Sequence, residues 1–379
     1  MKELENILIY PYNEQFTPIL RNTSFVKSYN KIYLSSLSGW GFCNEDAGYV
    51  DGGDNLGIIV DNRFEEYFNE CETVMFVDPD YPIDYDKFIY PRIYKAIDKG
   101  KNIICLINLK DKLHEIKKYC EIKKVSFKNY SDSNLDTSTF AGNNIEENEI
   151  LDLNTPIISV VGLSDNTDKF ALQLEIKTEL EDMGYKVSYI GSREYCEFFG
   201  AHSFPKFMFD KNMSESDKIY LFNKLVKYIE TKENPDVIII GVPGGILPHN
   251  KKISNNFGIT AYEVFQSITS DALVLSVFHE EYNEKFFKSI NNNIKYRFGI
   301  EIDVINILNK KVDWGEMMAI QPKKISCTTI NKEYLKESVA QLKSLTQIPI
   351  YNLHDKTNNP KITEILVNKL EENVAITYL

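Results

Sequence analysis

Gly162 and Lys169 form the pair with the most chemical content in this chain. They stand in VVGLSDNTDKFALQ, where an apolar run ends on glycine, six turn-forming and polar residues follow, and a helical pattern opens on lysine. Glycine at a strand end lets backbone N–H groups approach a phosphate, lysine at the helix start supplies charge to it, and a Ser/Thr hydroxyl with a nearby acid completes a magnesium shell. Only the first part of that set is clearly kept. Asp168 occupies the place of a second glycine, Phe170 that of the hydroxyl, and the later apolar run VIIIG ends on Gly241 with no acid before Glu263. A carboxylate beside a polyphosphate is repulsive at short range. The scaffold of a phosphate loop is therefore expected without ordinary ATP or GTP hydrolysis, and Lys169 reads as a solvent-facing residue of the first helical turn. Gly244 and Gly245, in VPGGILP, could still offer backbone N–H groups to an anion. No cofactor is the first expectation, and a nucleotide is the one the loop would take.

The long spacing resembles the phosphate loop of dethiobiotin-synthetase-like proteins. That resemblance implies an alternative function, a nucleotide-dependent ligase or kinase using Lys169 and the Gly244-Gly245 turn on phosphate. Glu194, Glu197 and His202 are then the candidates for acid–base work. They lie in SREYCEFFGAHSFPKFMFDKNMSESDK (192–218), an aromatic stretch without helical or strand period. Long irregular segments inside compact domains tend to be functional. The stretch reads equally as a lid and as an interface plug of Phe198, Phe199, Phe204 and Phe207, with His202 in a capping role.

A second irregular segment, SGWGFCNEDAGYVDGGD (38–54), holds five glycines and the acids Asp46, Asp51 and Asp54. Glycine-dense loops at strand ends let backbone approach a ligand, so these carboxylates are weak candidates for a metal. The first reading is a hairpin or loop with turns at Gly48 and Gly52-Gly53, and no metal.

These residues need elements to position them. Short β-branched and aromatic runs at 7–12, 31–37, 55–61, 73–78 and 102–109, with helical patterns at 63–71, 86–100 and 112–120, predict a Rossmann- or flavodoxin-like parallel sheet over 1–127. Residues 128–154, rich in Asn, Ser, Thr, Asp and Glu, read as a polar linker. From 155 to 379 the alternation resumes: strand 157–161, helix 168–183 ending at Gly184, strand 187–190, and the further strands 236–240, 271–279 and 300–311. A P-loop-like α/β domain follows. Leu172, Ile176, Leu180 and Met183 share one helix face and Phe170 and Leu174 the other, so the helix is expected to be covered on both sides. Residues 324–379 read as a small C-terminal lobe or an extension of the second sheet.

Composition limits the partners. The 379 residues carry a net charge of -12, which opposes nucleic-acid binding. No apolar run reaches the roughly 18 residues of a membrane helix, and MKELENILIYPYN lacks the parts of a secretory signal, so the chain reads as cytoplasmic. Its six cysteines are scattered without C-x-x-C spacing, which argues against a disulfide framework or zinc site. A homodimer is left open.

Five stretches carry a family resemblance: NILIYPYNEQFTPILR, GWGFCNEDAGYVDGGDNLGI, SVVGLSDNTDKFALQLEI, CEFFGAHSFPKFMF and DVIIIGVPGGILP. Together they resemble clostridial peptide maturation system proteins. The resemblance implies an accessory role in maturing a ribosomally synthesised Cys-rich peptide (RiPP natural product biosynthesis). The partner would be the precursor peptide or a radical-SAM maturase, held by the segments 195–207, 38–54 and 241–249. It implies a pathway and no catalytic residues.

Overall fold

The computed structural model describes residues 4–79, 82–131, 135–141, 149–248, 250–251, 254–315, 325–355 and 359–377. The chain divides into two compact α/β units, Met1–Ser133 and Asn134–Leu379.

The first unit is a six-stranded sheet. Its strands are β1 (Asn6–Tyr10), β2 (Lys31–Ser35), β3 (Val60–Asp61), β4 (Thr73–Phe76), β5 (Asn102–Cys105) and β6 (Phe127–Asn129), in the order β3-β2-β1-β4-β5-β6. All neighbouring pairs are parallel. The central strands are nearly continuous apolar runs because helices cover them, as a parallel sheet requires. On one face Leu8, Tyr10, Val74 and Phe76 pack against Phe64, Phe68, Ile93 and Ile97. The run expected as a strand over 55–61 pairs only at its end. Ile58 and Ile59 turn instead toward Asp46 and Ala47, with Ala47 N–H donating to the Ile58 carbonyl at 2.8 Å. The helix expected over 86–100 is broken into Tyr85–Phe88 and Tyr90–Asp98. Pro91 lacks the N–H an unbroken helix would need and sits in the first turn of the second piece.

The second unit is built on a seven-stranded, all-parallel sheet. In chain order its strands are β7 (Ile157–Gly162), β8 (Val187–Gly191), β9 (His202–Ser203), β10 (Val237–Gly241), β11 (Ala272–Val277), β12 (Val304–Ile307) and β15 (Ile350–Tyr351). The spatial order is β15-β12-β11-β7-β10-β8-β9. A short antiparallel pair, β13 (Lys310–Val312) and β14 (Cys327–Thr329), follows β12. The run expected as one strand over 300–311 is thus two strands in different sheets. The helix after β7 is Lys169–Asp182, with Gly184 at φ +93° just past its end. Phe170, Leu172, Leu174, Ile176 and Leu180 are buried, while Met183 is exposed rather than on the packed face. The second cover of this helix is the C-terminal helix Asn359–Thr377. β15, paired to β12, extends the second sheet.

Part of the stretch read as a linker is structured. Phe127–Asn129 is the edge strand of the first sheet. Leu151 N–H donates to Asn223 Oδ1 at 2.8 Å, and the N–H groups of Asn154 and Thr155 converge on Glu230 Oε1 at 2.6 and 2.7 Å. Residues 132–134 and 142–148 lie outside the described residues. Asn223, 1 % exposed, also donates to the carbonyls of Leu151 and Ser267. Asn223→Ala would leave three backbone groups without their partner and is expected to lower stability by about 2 kcal/mol in urea unfolding, with the m-value unchanged.

Candidate functional site

The strand-to-helix passage from β7 is tightly folded. Gly162 closes β7 where an added Cβ would fall 2.1 Å from Thr167 Oγ1 and 2.9 Å from Lys169 Nζ, so only glycine fits. The loop reverses through two residues in the left-handed region, Asn166 (φ 57°) and Asp168 (φ 47°). Thr167 Oγ1 donates to the Ser164 carbonyl at 3.1 Å. Lys169 does not face solvent as its place in the first turn suggested. It is 7 % exposed, and its ammonium folds back over the loop to donate to the carbonyls of Gly244 at 2.7 Å and Ser164 at 3.4 Å. Burial pulls its pKa down from 10.5 to about 8; Asp165 and Asp168 oppose the shift and Arg193 adds to it.

The Pro-Gly-Gly turn after β10 is pressed against this loop. A Cβ on Gly245 would lie 2.6 Å from the Asn255 amide and 2.8 Å from Ser164 Cα. Asn255 Nδ2 bridges the two segments, donating to the carbonyls of Leu163 and Leu247 at 3.2 and 2.6 Å. Ile246 N–H donates to the Gly162 carbonyl at 2.9 Å. Gly244 and Gly245 were singled out for their N–H groups, but the group of Gly244 that meets Lys169 is its carbonyl.

Packing accounts for both departures from a magnesium-binding loop. A Cβ at Gly241 would lie 1.9 Å from Gln173 Nε2, and Gln173 is fully buried with Nε2 donating to the Ile190 carbonyl. An acid at that strand end would have to displace the Gln173 amide. Phe170, 2 % exposed, packs edge-on against Tyr195 and Phe199, with the Arg193 guanidinium 5.6 Å from its ring centre.

On the other side of the loop, Asp168 Oδ1 pairs with Lys310 Nζ at 3.0 Å, the two side chains being 15 % and 9 % exposed. A buried polar chain runs onward across the strand ends. Ser276 Oγ donates to the Thr167 carbonyl at 2.7 Å, Asn306 Nδ2 to Ser276 Oγ at 2.9 Å, and Leu353 N–H to Asn306 Oδ1 at 2.9 Å. The chain leaves β7 toward β8 and β11 toward β12, in opposite directions along the sheet. Open α/β sheets hold ligands at the carboxyl ends of such a strand pair. Lys310, Asn255 and Ser276 were not legible as site residues, because nothing local in KK, NN or SV announces a partner more than 90 residues away in the chain; the partners of Asn306 are 30 and 47 residues away.

The acid–base candidates are engaged elsewhere or open to solvent. Glu197 accepts the Ser203 N–H at 3.0 Å and its hydroxyl; His202 Nε2 meets Glu233 Oε1 at 2.5 Å; Glu194 is exposed. In the aromatic stretch Tyr195, Cys196, Phe204 and Met208 are core residues, Phe198 and Phe199 are half-buried, and Phe209 is exposed.

In the first unit, Asp46, Asp51 and Asp54 take part in hydrogen bonds and an ion pair with their own segment and Arg21. Asp46 accepts the N–H groups of Gly48, Leu56 and Gly57, each at 2.7 Å. Asp51 takes a bidentate pair from Arg21 at 2.6 and 2.9 Å, and the Asp54 carbonyl accepts from the same guanidinium. Among the described residues, no group of three or more His, Cys, Asp or Glu side chains is placed to hold a metal.

No family model matches the chain, and no curated protein sequence matches it. Among solved structures, a DUF1611 family protein from Anabaena variabilis superposes with a TM-score of 0.61 at 9% identity, covering 97% of this chain and 99% of that one. At this identity the likeness shows a shared fold alone. The cobyrinic acid a,c-diamide synthase of Mycobacterium smegmatis, solved with ADP and magnesium, superposes with a TM-score of 0.36 at 10% identity, covering 58% of this chain and 96% of that one.

Gly241→Asp would supply the acid a magnesium site needs. The Gln173 clash predicts about 3 kcal/mol of destabilisation in urea unfolding and no gain in magnesium affinity by calorimetry.

Proposed function

We propose that the second unit binds a phosphate-bearing ligand at the loop Gly162–Lys169, a nucleotide being the first candidate, without magnesium-dependent hydrolysis of the ordinary kind. The observation that carries this reading is the buried Lys169 ammonium, folded over the loop that leads into the helix Lys169–Asp182. First-turn N–H groups of a helix have no intrahelical acceptor, and an anion at a helix N-terminus beside a lysine is favourable. The burial of Phe170 in an aromatic cluster and the packing of Gln173 against Gly241 support a site without the hydroxyl and acid that hold magnesium.

Calorimetric titration with ATP and with pyrophosphate, each with and without magnesium, tests the reading. Binding is expected with either ligand, independent of magnesium and weakened about tenfold or more by Lys169→Ala. Absence of heat for both ligands, or affinity indifferent to that substitution, would refute it.

The pKa of Lys169 gives a second test. The ligand needs the protonated ammonium, so affinity is expected to hold below about pH 7 and to fall as pH rises through about 8. The unliganded protein behaves in the opposite sense. Between about 8 and 10.5 the unfolded chain holds the proton that the folded chain has released, so stability rises with pH across that window.

The accessory role in peptide maturation implied by the sequence resemblance stands as a second reading. It rests on the aromatic stretch, where Phe209 is 54 % exposed beside half-buried Phe198, Phe199 and Phe207. Recovery of a Cys-rich precursor peptide or a radical-SAM maturase with the tagged protein would support it, and recovery of neither would remove it.

A further inference from the structure

We infer that Lys310 is a positioning residue for the anion loop: it draws the Asp168 carboxylate away from the helix N-terminus and cancels its charge, so that the loop accepts an anion although an acid stands at its mouth. This rests on the phosphate-binding reading above and deepens it.

Asp168 is the residue before the helix Lys169–Asp182, the place from which Asp ordinarily caps a helix by accepting first-turn N–H groups. Here it makes no side-chain capping hydrogen bond, and its backbone is left-handed (φ 47°, ψ 27°). At three other helices of the same unit the residue at this position does cap. Ser214 accepts from Asp217 N–H, Asn283 from Phe286 N–H, and Asn331 from Glu333 and Tyr334 N–H. The Asp168 carboxylate instead reaches Lys310 Nζ at 3.0 Å.

Lys310 is itself held in place. It is the first residue of β13, and its carbonyl accepts the His279 N–H at 2.9 Å just past β11. With both side chains largely buried, the pair is shielded from solvent ions, and separating it would leave a charge without its partner. Lys169 and Lys310 therefore act on opposite sides of the loop. Lys169 reaches the turn after β10, whereas Lys310 meets the loop through Asp168.

Lys310→Met, Asp168→Asn and the double variant test this by pyrophosphate titration and by hydrogen exchange over residues 163–172. Lys310→Met frees Asp168 to leave the left-handed region for the extended backbone from which its carboxylate can cap the first turn, so affinity is expected to fall about tenfold and first-turn exchange to slow. Asp168→Asn alone is expected to bind at least as tightly as the parent. The double variant should return to within about threefold of the parent, since no carboxylate remains to repel the anion. Thermal melts establish that each variant is folded.

Parental affinity in Lys310→Met, or failure of Asp168→Asn to rescue it, would overturn the inference while leaving Lys169-dependent binding intact. If the parent binds no pyrophosphate, the phosphate-binding reading fails by itself, and unchanged first-turn exchange in Lys310→Met would then refute the role of Lys310 separately.

Discussion

The second unit's strand-end architecture depends on one buried ammonium. An isolated charge in a protein interior is costly, and the cost falls only when hydrogen-bond partners are aimed at it. Lys169 meets that condition with the carbonyls of Ser164, from its own loop, and Gly244, from the turn after β10. The two segments are consequently locked together. Asn255 and Ile246 N–H reinforce the lock, and Gly162 and Gly245 have no Cβ because the approach leaves no room for one. The cost that remains appears in the lowered pKa of the lysine.

Around that lock, the departures from a hydrolytic phosphate loop belong to a coherent packing solution. Gln173 fills the space below Gly241, and Phe170 joins an aromatic cluster with Tyr195 and Phe199. Asp168, which looks incompatible with an anion when read alone, is paired with Lys310. The positions where a hydrolytic phosphate loop carries a hydroxyl and an acid are taken here by packed side chains.

The glycine-rich segment of the first unit follows the same logic with a different outcome. Its carboxylates look like ligands because acids and glycines are clustered. In the fold Asp46 organises a turn by accepting three backbone N–H groups, and Asp51 anchors the segment to Arg21. Gly48 is required because a Cβ would meet the Asp54 carbonyl at 2.0 Å.

Hydrophobic period and turn residues alone determined the α/β class, the two parallel sheets, the β7–helix–β8 unit and the helix end at Gly184, because those signals are local and strand burial makes them strong. The same local signals misjudged pieces whose partners are remote: the run 55–61, turned toward Asp46 and Ala47, and the run 300–311, divided between two sheets. For the site, the presence of Gly162 and Lys169 was legible, but the direction of the lysine was not. Whether a first-turn lysine meets solvent or folds over its loop is decided by which carbonyls the sheet brings near, and the nearest, that of Gly244, is 75 residues away in the chain. The Asp168–Lys310 pair spans 142 residues, and only the tertiary structure could reveal that the acid at the mouth of the loop carries its own counter-charge.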